Sequence, residues 1–180
     1  MKYSRIAVYC GSGTGRNPAF VHAAQSLGTL LAKRAIELVY GGGGIGLMNV
    51  VSDAVLQSGG TAIGVIPKFL FQRGLAHPGV TELRVVETMH ERKETMASLA
   101  DAFIALPGGY GTLEEILEIA TWNQLALQRK PYGILNVDGY YDPLLAQLDR
   151  AVEEELLQAS QRRQLLCETT PERLLERMDA

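Results

Sequence analysis

The chain has 180 residues, 47% of them hydrophobic and 21% charged, with a net charge of −3 at pH 7. That length suffices for one domain, residues 1–180, with a sizeable core. The faintly acidic balance argues against general nucleic-acid binding, and no apolar run approaches the ~20 residues of a membrane span. The opening MKYSRIAVYCGSG has one short apolar run and no cleavage-site pattern, so it does not read as a signal peptide. Cys10 and Cys167 stand far apart without metal spacing and read as reduced thiols of a cytoplasmic protein.

Along the chain, short β-rich runs alternate with helical stretches. RIAVYC reads as a strand. NPAFVHAAQSLGTLLAKRA follows as a helix, with Asn17 as N-cap and Pro18 in the first helical position. IELVY is a second strand, then come GGGG and the helix IGLMNVVSDAVLQSGG. TAIGVIP is a third strand and KFLFQRGLAHPGVT a long loop. ELRVVE is a fourth strand, and MHERKETMASLADA a helix. FIALP is a fifth strand, leading through PGGYGT into another helix. YGILN is a sixth strand, followed by the helix YDPLLAQLDRAVEEE, a short QLLCE and a final helix from about Pro171. Short apolar strands without clean alternation imply burial on both faces. Their alternation with helices predicts an α/β fold with a doubly wound parallel sheet.

In such sheets ligands bind beyond the carboxyl ends of the strands, near a topological switch point. Three glycine-rich turns fall at strand ends: GSGTG, GGGGIG and PGGYGT. The second formally matches G-x-G-x-x-G through Gly41, Gly43 and Gly46. It follows the second strand, however, and the third strand ends in Ile66 and Pro67, with no acid to hold a dinucleotide ribose. No G-x-x-x-x-G-K-[ST] motif exists, which excludes a P-loop ATPase. A mononucleotide is the remaining reading. Glycine lets backbone approach a phosphate, and a helix start offers free N–H groups at a positive dipole end. Thr112 adds a hydroxyl, and Ser12 is placed to do the same from the first turn. The competing reading is that these glycines serve tight turns alone.

Acids follow the third turn at once. Glu115 and Glu118 are three residues apart and share a helix face, with Thr121 and Trp122 on the following turn, whereas Glu114 lies ~100° from Glu115 and points elsewhere. In MHERKETM, Arg92, Lys93 and Met96 cluster within one turn above Met89. If the fourth and fifth strands lie near each other, this helix start and the PGGYGT turn share a cleft. The plainer reading of ERKE is a solvated charged helix end.

PGGYGTLEE, from Pro107 to Glu115, and MHERKETM, from Met89 to Met96, resemble the paired signatures PGGxGTxxE and MHxRK of the Lonely guy family of cytokinin riboside 5'-monophosphate phosphoribohydrolases. The resemblance extends through YGGGGIGLMN, GVIPKFL, AHPGVTEL, TWNQLAL and NVDGYYDPLL, covering nearly the whole chain. It implies a Rossmann-like fold. It matches Arg92 and Glu115 to the family's catalytic pair, Arg92 and Lys93 to its substrate-contacting Arg-Lys, and Thr121 to a further substrate contact. The run Gly109, Tyr110, Gly111, Thr112, Leu113, Glu114 and Glu115 matches its phosphate and ribose loop. Ser12, Gly43, Met89 and Gly108 complete the expected substrate site. Two departures stand out: Gly74 where a glutamate is common, and Asn49 where a glycine is frequent.

The implied reaction is hydrolysis of an N-glycosidic bond in a nucleoside 5'-monophosphate, an N6-substituted adenine nucleotide or AMP itself, in a homodimer with sites near the subunit contact. Some relatives carry a lysine decarboxylase label, but no pyridoxal lysine is evident among Lys2, Lys33, Lys68, Lys93 and Lys130. His22, His77 and His90 have no ligand spacing, so neither metal nor cofactor is expected. A non-catalytic nucleotide or cofactor carrier, similar to the molybdenum-cofactor carrier proteins, is the alternative. It needs the glycine loops but not the Arg92 and Glu115 pair.

Overall fold

The computed structural model describes residues 3–180. Seven strands form one parallel sheet: β1 Arg5–Tyr9, β2 Glu37–Tyr40, β3 Ala62–Pro67, β4 Glu82–Val86, β5 Ala102–Ala105, β6 Tyr132–Leu135 and β7 Leu165–Glu168. Their order is β4-β3-β2-β1-β5-β6-β7, with every neighbouring pair parallel. Successive residues of β1 enter opposite cores. Ile6 and Val8 face α1 (Pro18–Lys33), α2 (Gly46–Gln57) and α8 (Pro171–Asp179), while Ala7 and Tyr9 face α4 (Met89–Leu99), α5 (Tyr110–Gln124) and α6 (Asp142–Glu153). Helices thus cover both sheet faces, which is why all six residues of β3 are buried. This is the doubly wound α/β architecture that the alternating elements predict.

Local signals set several helix starts. Asn17 Oδ1 accepts from Ala19 N at 2.9 Å and starts α1, and Thr88 Oγ1 accepts from Glu91 N at 3.0 Å and starts α4. Two stretches differ from the sequence reading. Lys68–Phe71, expected as loop, forms the short helix α3, and Ala159–Arg162 adds a further turn, α7, before β7. Helix α4 stops at Leu99 rather than Ala102, because Asp101 joins the sheet edge. Its amide donates to Arg5 O at 2.8 Å and its carboxylate accepts from the Ser4 and Arg5 amides at 2.8 and 2.9 Å.

The chain winds outward from β1 to β4, then returns to place β5 on the other side of β1. The switch point therefore lies between β1 and β5. The premise that β4 and β5 lie near each other is wrong, since β3, β2 and β1 separate them. The conclusion drawn from it survives for a different reason. Helix α4 runs back across the sheet, packing on β3, β2 and β1 as well as β4, and the Arg92 side chain near its start reaches Val65 O on β3 and Glu115 on α5.

Candidate active site

Strands β2, β1 and β5 are adjacent and parallel, so their glycine turns emerge side by side at one sheet edge. The turns pack too closely for ordinary side chains. Gly11 N donates to Pro107 O at 3.1 Å across the switch point. A Cβ on Gly108 would stand 2.1 Å from Thr112 Oγ1 and 2.9 Å from Gly11 N, and one on Gly46, already at φ +61°, would stand 2.2 Å from the Ser12 carbonyl carbon. Helix α5 begins at this junction with Gly109 in its N-cap position and no side-chain cap. Its first N–H groups are left for an external acceptor.

Two cavities meet at Ser12. One, of about 250 Å³, is walled by the β1 turn, Gly108 and Gly109, with Phe20 and Tyr140 at its side. The other, of about 320 Å³, is bounded by Gly41, Gly43, Ile45, Met48, Ile66, Leu70, Leu75 and Met89, and Arg92 is the charged residue on its wall. The structure thus offers a backbone-lined compartment beside an apolar one.

Between the elements lies a buried ion pair. Arg92 on α4 donates through Nη1 to Glu115 Oε1 on α5 at 2.6 Å and through Nε to Val65 O at 3.2 Å. Both residues are 8% exposed. Burial raises the Glu115 pKa above the ordinary carboxylate value, against the opposing pull of the Arg92 charge and hydrogen bond. The result is a desolvated carboxylate with one oxygen committed to Arg92. Such a group suits proton transfer and the stabilisation of nearby positive charge.

The remaining predicted residues divide. Ser12, Gly43, Met89, Gly108 and Gly109 line the cavities. Thr112 is buried beneath Gly108. Lys93 is also buried, with its ammonium held by Glu114 and by Glu118 at 3.0 Å. Burial lowers the Lys93 pKa, but its two carboxylate hydrogen bonds outweigh that effect and raise it. Glu114 therefore turns to Lys93, and Glu118 joins it there rather than flanking Glu115 on Arg92. Gly111 and Leu113 lie within the first turn of α5, where the Leu113 amide closes on Gly109 O at 3.1 Å. Tyr110 is 95% exposed at the start of α5. Thr121 is not brought to the cleft of this chain. Its hydroxyl donates to Leu117 O at 2.8 Å, and it lines a separate cavity with Tyr132, Leu148 and Leu165. Gly74 sits at φ +70° with open space around it, in the loop after α3.

Several supporting residues escaped the sequence reading. Tyr140 and Tyr141 donate at 2.6 Å to Gly108 O and Leu106 O, pinning the turn before α5. His77 Nδ1 accepts from Gly79 N at 3.0 Å, which leaves Nε2 to donate to Asp53 Oδ1 at 3.0 Å, while Asn49 donates to Asp53 Oδ2 at 2.6 Å. Their signal was present in NVDGYY and AHPG, but nothing local reveals what those side chains reach.

Known proteins resemble this chain in sequence and in fold. The family model described as "Possible lysine decarboxylase" matches residues 48–178. The chain is 52% identical over 178 residues to cytokinin riboside 5'-monophosphate phosphoribohydrolase LOG of Oryza sativa subsp. japonica, an alignment spanning 99% of this chain and 74% of the relative. It is 51% identical to the LOG4 enzyme of that name from Arabidopsis thaliana, over 99% of this chain and 83% of the relative. Among solved structures, the molybdenum cofactor binding protein of Rippkaea orientalis superposes with a TM-score of 0.75 at 26% identity, covering 99% of this chain and 97% of that one. Identity near one half along almost the whole chain, together with the paired PGGYGTLEE and MHERKETM motifs, places this protein in the Lonely guy family of phosphoribohydrolases.

Proposed function

We propose that residues 1–180 act as one hydrolase domain that cleaves the N-glycosidic bond of cytokinin riboside 5'-monophosphates and of AMP. The products are the free base and ribose 5-phosphate. The observation that carries this reading is the buried Arg92–Glu115 pair beside the glycine turns. The glycine turns and the uncapped start of α5 bind the phosphate, with Ser12, Gly108, Gly109, Tyr110, Gly111, Thr112 and Leu113 forming that end. Gly43 and Met89 border the base, and Lys93 with Glu114 orders the first turns of α4 and α5. Thr121, turned away from the cleft of its own chain, serves the site of a second subunit in a homodimer. Exposed Ile45 and Met89 at the mouth of the apolar cavity support a site beside a subunit contact. The two free thiols and a described chain without a helix long and apolar enough to cross a membrane support a cytoplasmic enzyme.

In the reaction, water adds its oxygen to the ribose anomeric carbon as the bond to the base nitrogen breaks, and the water proton passes to Glu115 and from there to the departing nitrogen, which leaves as the neutral free base. The transition state carries oxocarbenium character. Glu115, behind the phosphate loop, faces the ribose. Its carboxylate orients the water, accepts its proton and offsets the positive charge on the ring. Arg92 holds the substrate and balances the electron pair that departs with the base. The placement also explains why acids follow a phosphate loop: Glu115 lies one turn deeper than the N–H groups that meet the anion.

The test is to incubate purified protein with AMP and with isopentenyladenosine monophosphate and to chromatograph for free base. Base release is expected from the wild type, and Glu115→Gln should lower turnover at least ~100-fold. Because the working form of Glu115 is ionised and burial raises its pKa, kcat/KM should rise with pH along an acid limb lying above the ordinary value of 4.5. Nucleotide binding without base release, or near-normal turnover in Glu115→Gln, would overturn the reading. Binding alone would replace it with that of a carrier.

A further inference from the structure

We propose that Gly41 is a positioning residue for Arg92, its missing side chain being the space in which the guanidinium reaches Val65 O, Glu115 and the cleft at once. The inference rests on the hydrolase reading above and assigns a role to a glycine of the second turn that neither phosphate binding nor turn geometry requires. Gly41 follows the last residue of β2 and does not have a positive φ, so its backbone suits any residue. Space is what sets it apart. A Cβ built on Gly41 would stand 2.0 Å from Arg92 Nη2 and 3.2 Å from Arg92 Cζ, with Met48 Sδ at 3.1 Å.

Arg92 cannot yield without giving up a contact. Nε is committed to Val65 O on β3, and Nη1 to Glu115 Oε1 on α5. Nη2 makes no hydrogen bond among the described residues, and Arg92 and Gly41 both line the apolar cavity. Nη2 is thus the nitrogen left for substrate, and it lies over Gly41. A methyl group there meets the movable end of a side chain rather than backbone, so the fold accommodates it by displacing the guanidinium. Displacement lengthens the contact with Glu115 and turns Nη2 away from the cleft. Loss of geometry on this scale reduces turnover steeply.

The displacement has a signature that general loosening lacks. Glu115 is faced by Arg92 and Lys93 from α4, by Tyr9 at the end of β1 and Cys10 just after it, and by Glu114 on its own helix. Arg92 provides the main opposition to desolvation. Moving its charge away leaves the carboxylate harder to ionise, so the acid limb of activity moves to higher pH.

Gly41→Ala should fold, lose about 10- to 100-fold in kcat/KM and show its acid limb at higher pH than the wild type. Its loss of Tm should vanish in the Arg92→Ala background, where no guanidinium remains to be struck. Activity within about threefold of wild type, or a drop in activity with an unmoved acid limb, would overturn the inference. Should Gly41→Ala fail to fold, the double variant Gly41→Ala/Arg92→Ala is read against Arg92→Ala alone: a double variant as stable as Arg92→Ala upholds the role, and one that unfolds where Arg92→Ala stays folded refutes it. Should the wild type release no base, the hydrolase reading falls. The Tm comparison across the four proteins then still reports whether Gly41 makes room for Arg92.

Discussion

Glu115 and Arg92 are each 8% exposed, and neither charge would sit so deep without the other. Truncating one partner leaves an uncompensated buried charge. Arg92→Ala should therefore destabilise the protein by about 3–5 kcal/mol near neutral pH, measured by urea unfolding. The deficit should depend on pH with a definite sign. Without the guanidinium, the folded-state pKa of Glu115 rises further above its unfolded value. A group raised in this way contributes most stability below its unfolded pKa, and that contribution is lost as pH climbs through the folded pKa. The deficit relative to wild type should accordingly be smaller near about pH 5 than near about pH 8. An equal deficit at both would mean that the ion pair is not its source. Lys93 forms a second, more peripheral arrangement, its one cation set against Glu114 and Glu118. The N-terminal parts of α4 and α5 are thereby held together by two cations and three acids.

At the scale of elements, the apolar cavity depends on how the loop after α3 is fastened to the β2 turn. His77 N donates to Gly42 O and Gly44 N donates to Leu75 O, each at 2.9 Å, and Gly43 pairs with Ala76 in an isolated antiparallel bridge. The His77 ring then anchors the loop to Asp53 on α2 at 3.0 Å. Leu70 and Leu75, which wall the cavity, are positioned by this clamp. His77→Ala removes a buried hydrogen-bonding ring that contributes about 1–3 kcal/mol. We expect KM for the nucleotide to rise about tenfold with a smaller change in kcat, since the ring lies behind the cavity rather than at the ion pair. Steady-state kinetics decide the point, and an unchanged KM would show that the loop holds its place without the clamp. Tyr140 and Tyr141 do the corresponding work for the PGGYGT turn from the segment between β6 and α6.

For the whole molecule, the expected assembly is a homodimer, so light scattering should give twice the chain mass, and a monomer with full activity would refute it. The placement of Thr121 gives this measurement its mechanistic interest. Its cavity contains Ile116, Leu117 and Leu165 and lies apart from the two that meet at Ser12. A threonine that the resemblance matches to a substrate contact, yet that faces away from its own cleft, is explained if subunits complete one another's sites.

Much of the fold was legible in local pattern. The period of the apolar residues, the Asn17 and Thr88 caps and the glycine turns each specify conformation through contacts a few residues away, and they predict six strands with their helices in order. The short helix α3 was not legible, because a single turn has no period to read. The paired motifs located Arg92 and Glu115 as candidates, since side-chain chemistry is visible in sequence. What their carboxylate and guanidinium meet was decided only by the tertiary structure. The return of α4 across the sheet, the separation of β4 from β5, the turning of Glu114 and Glu118 to Lys93 and the empty volume at Gly41 all arise from packing between residues distant along the chain. Sequence pattern records which residues a strand or helix presents. Which of them touch depends on strand order, and strand order is set by the burial of both sheet faces together.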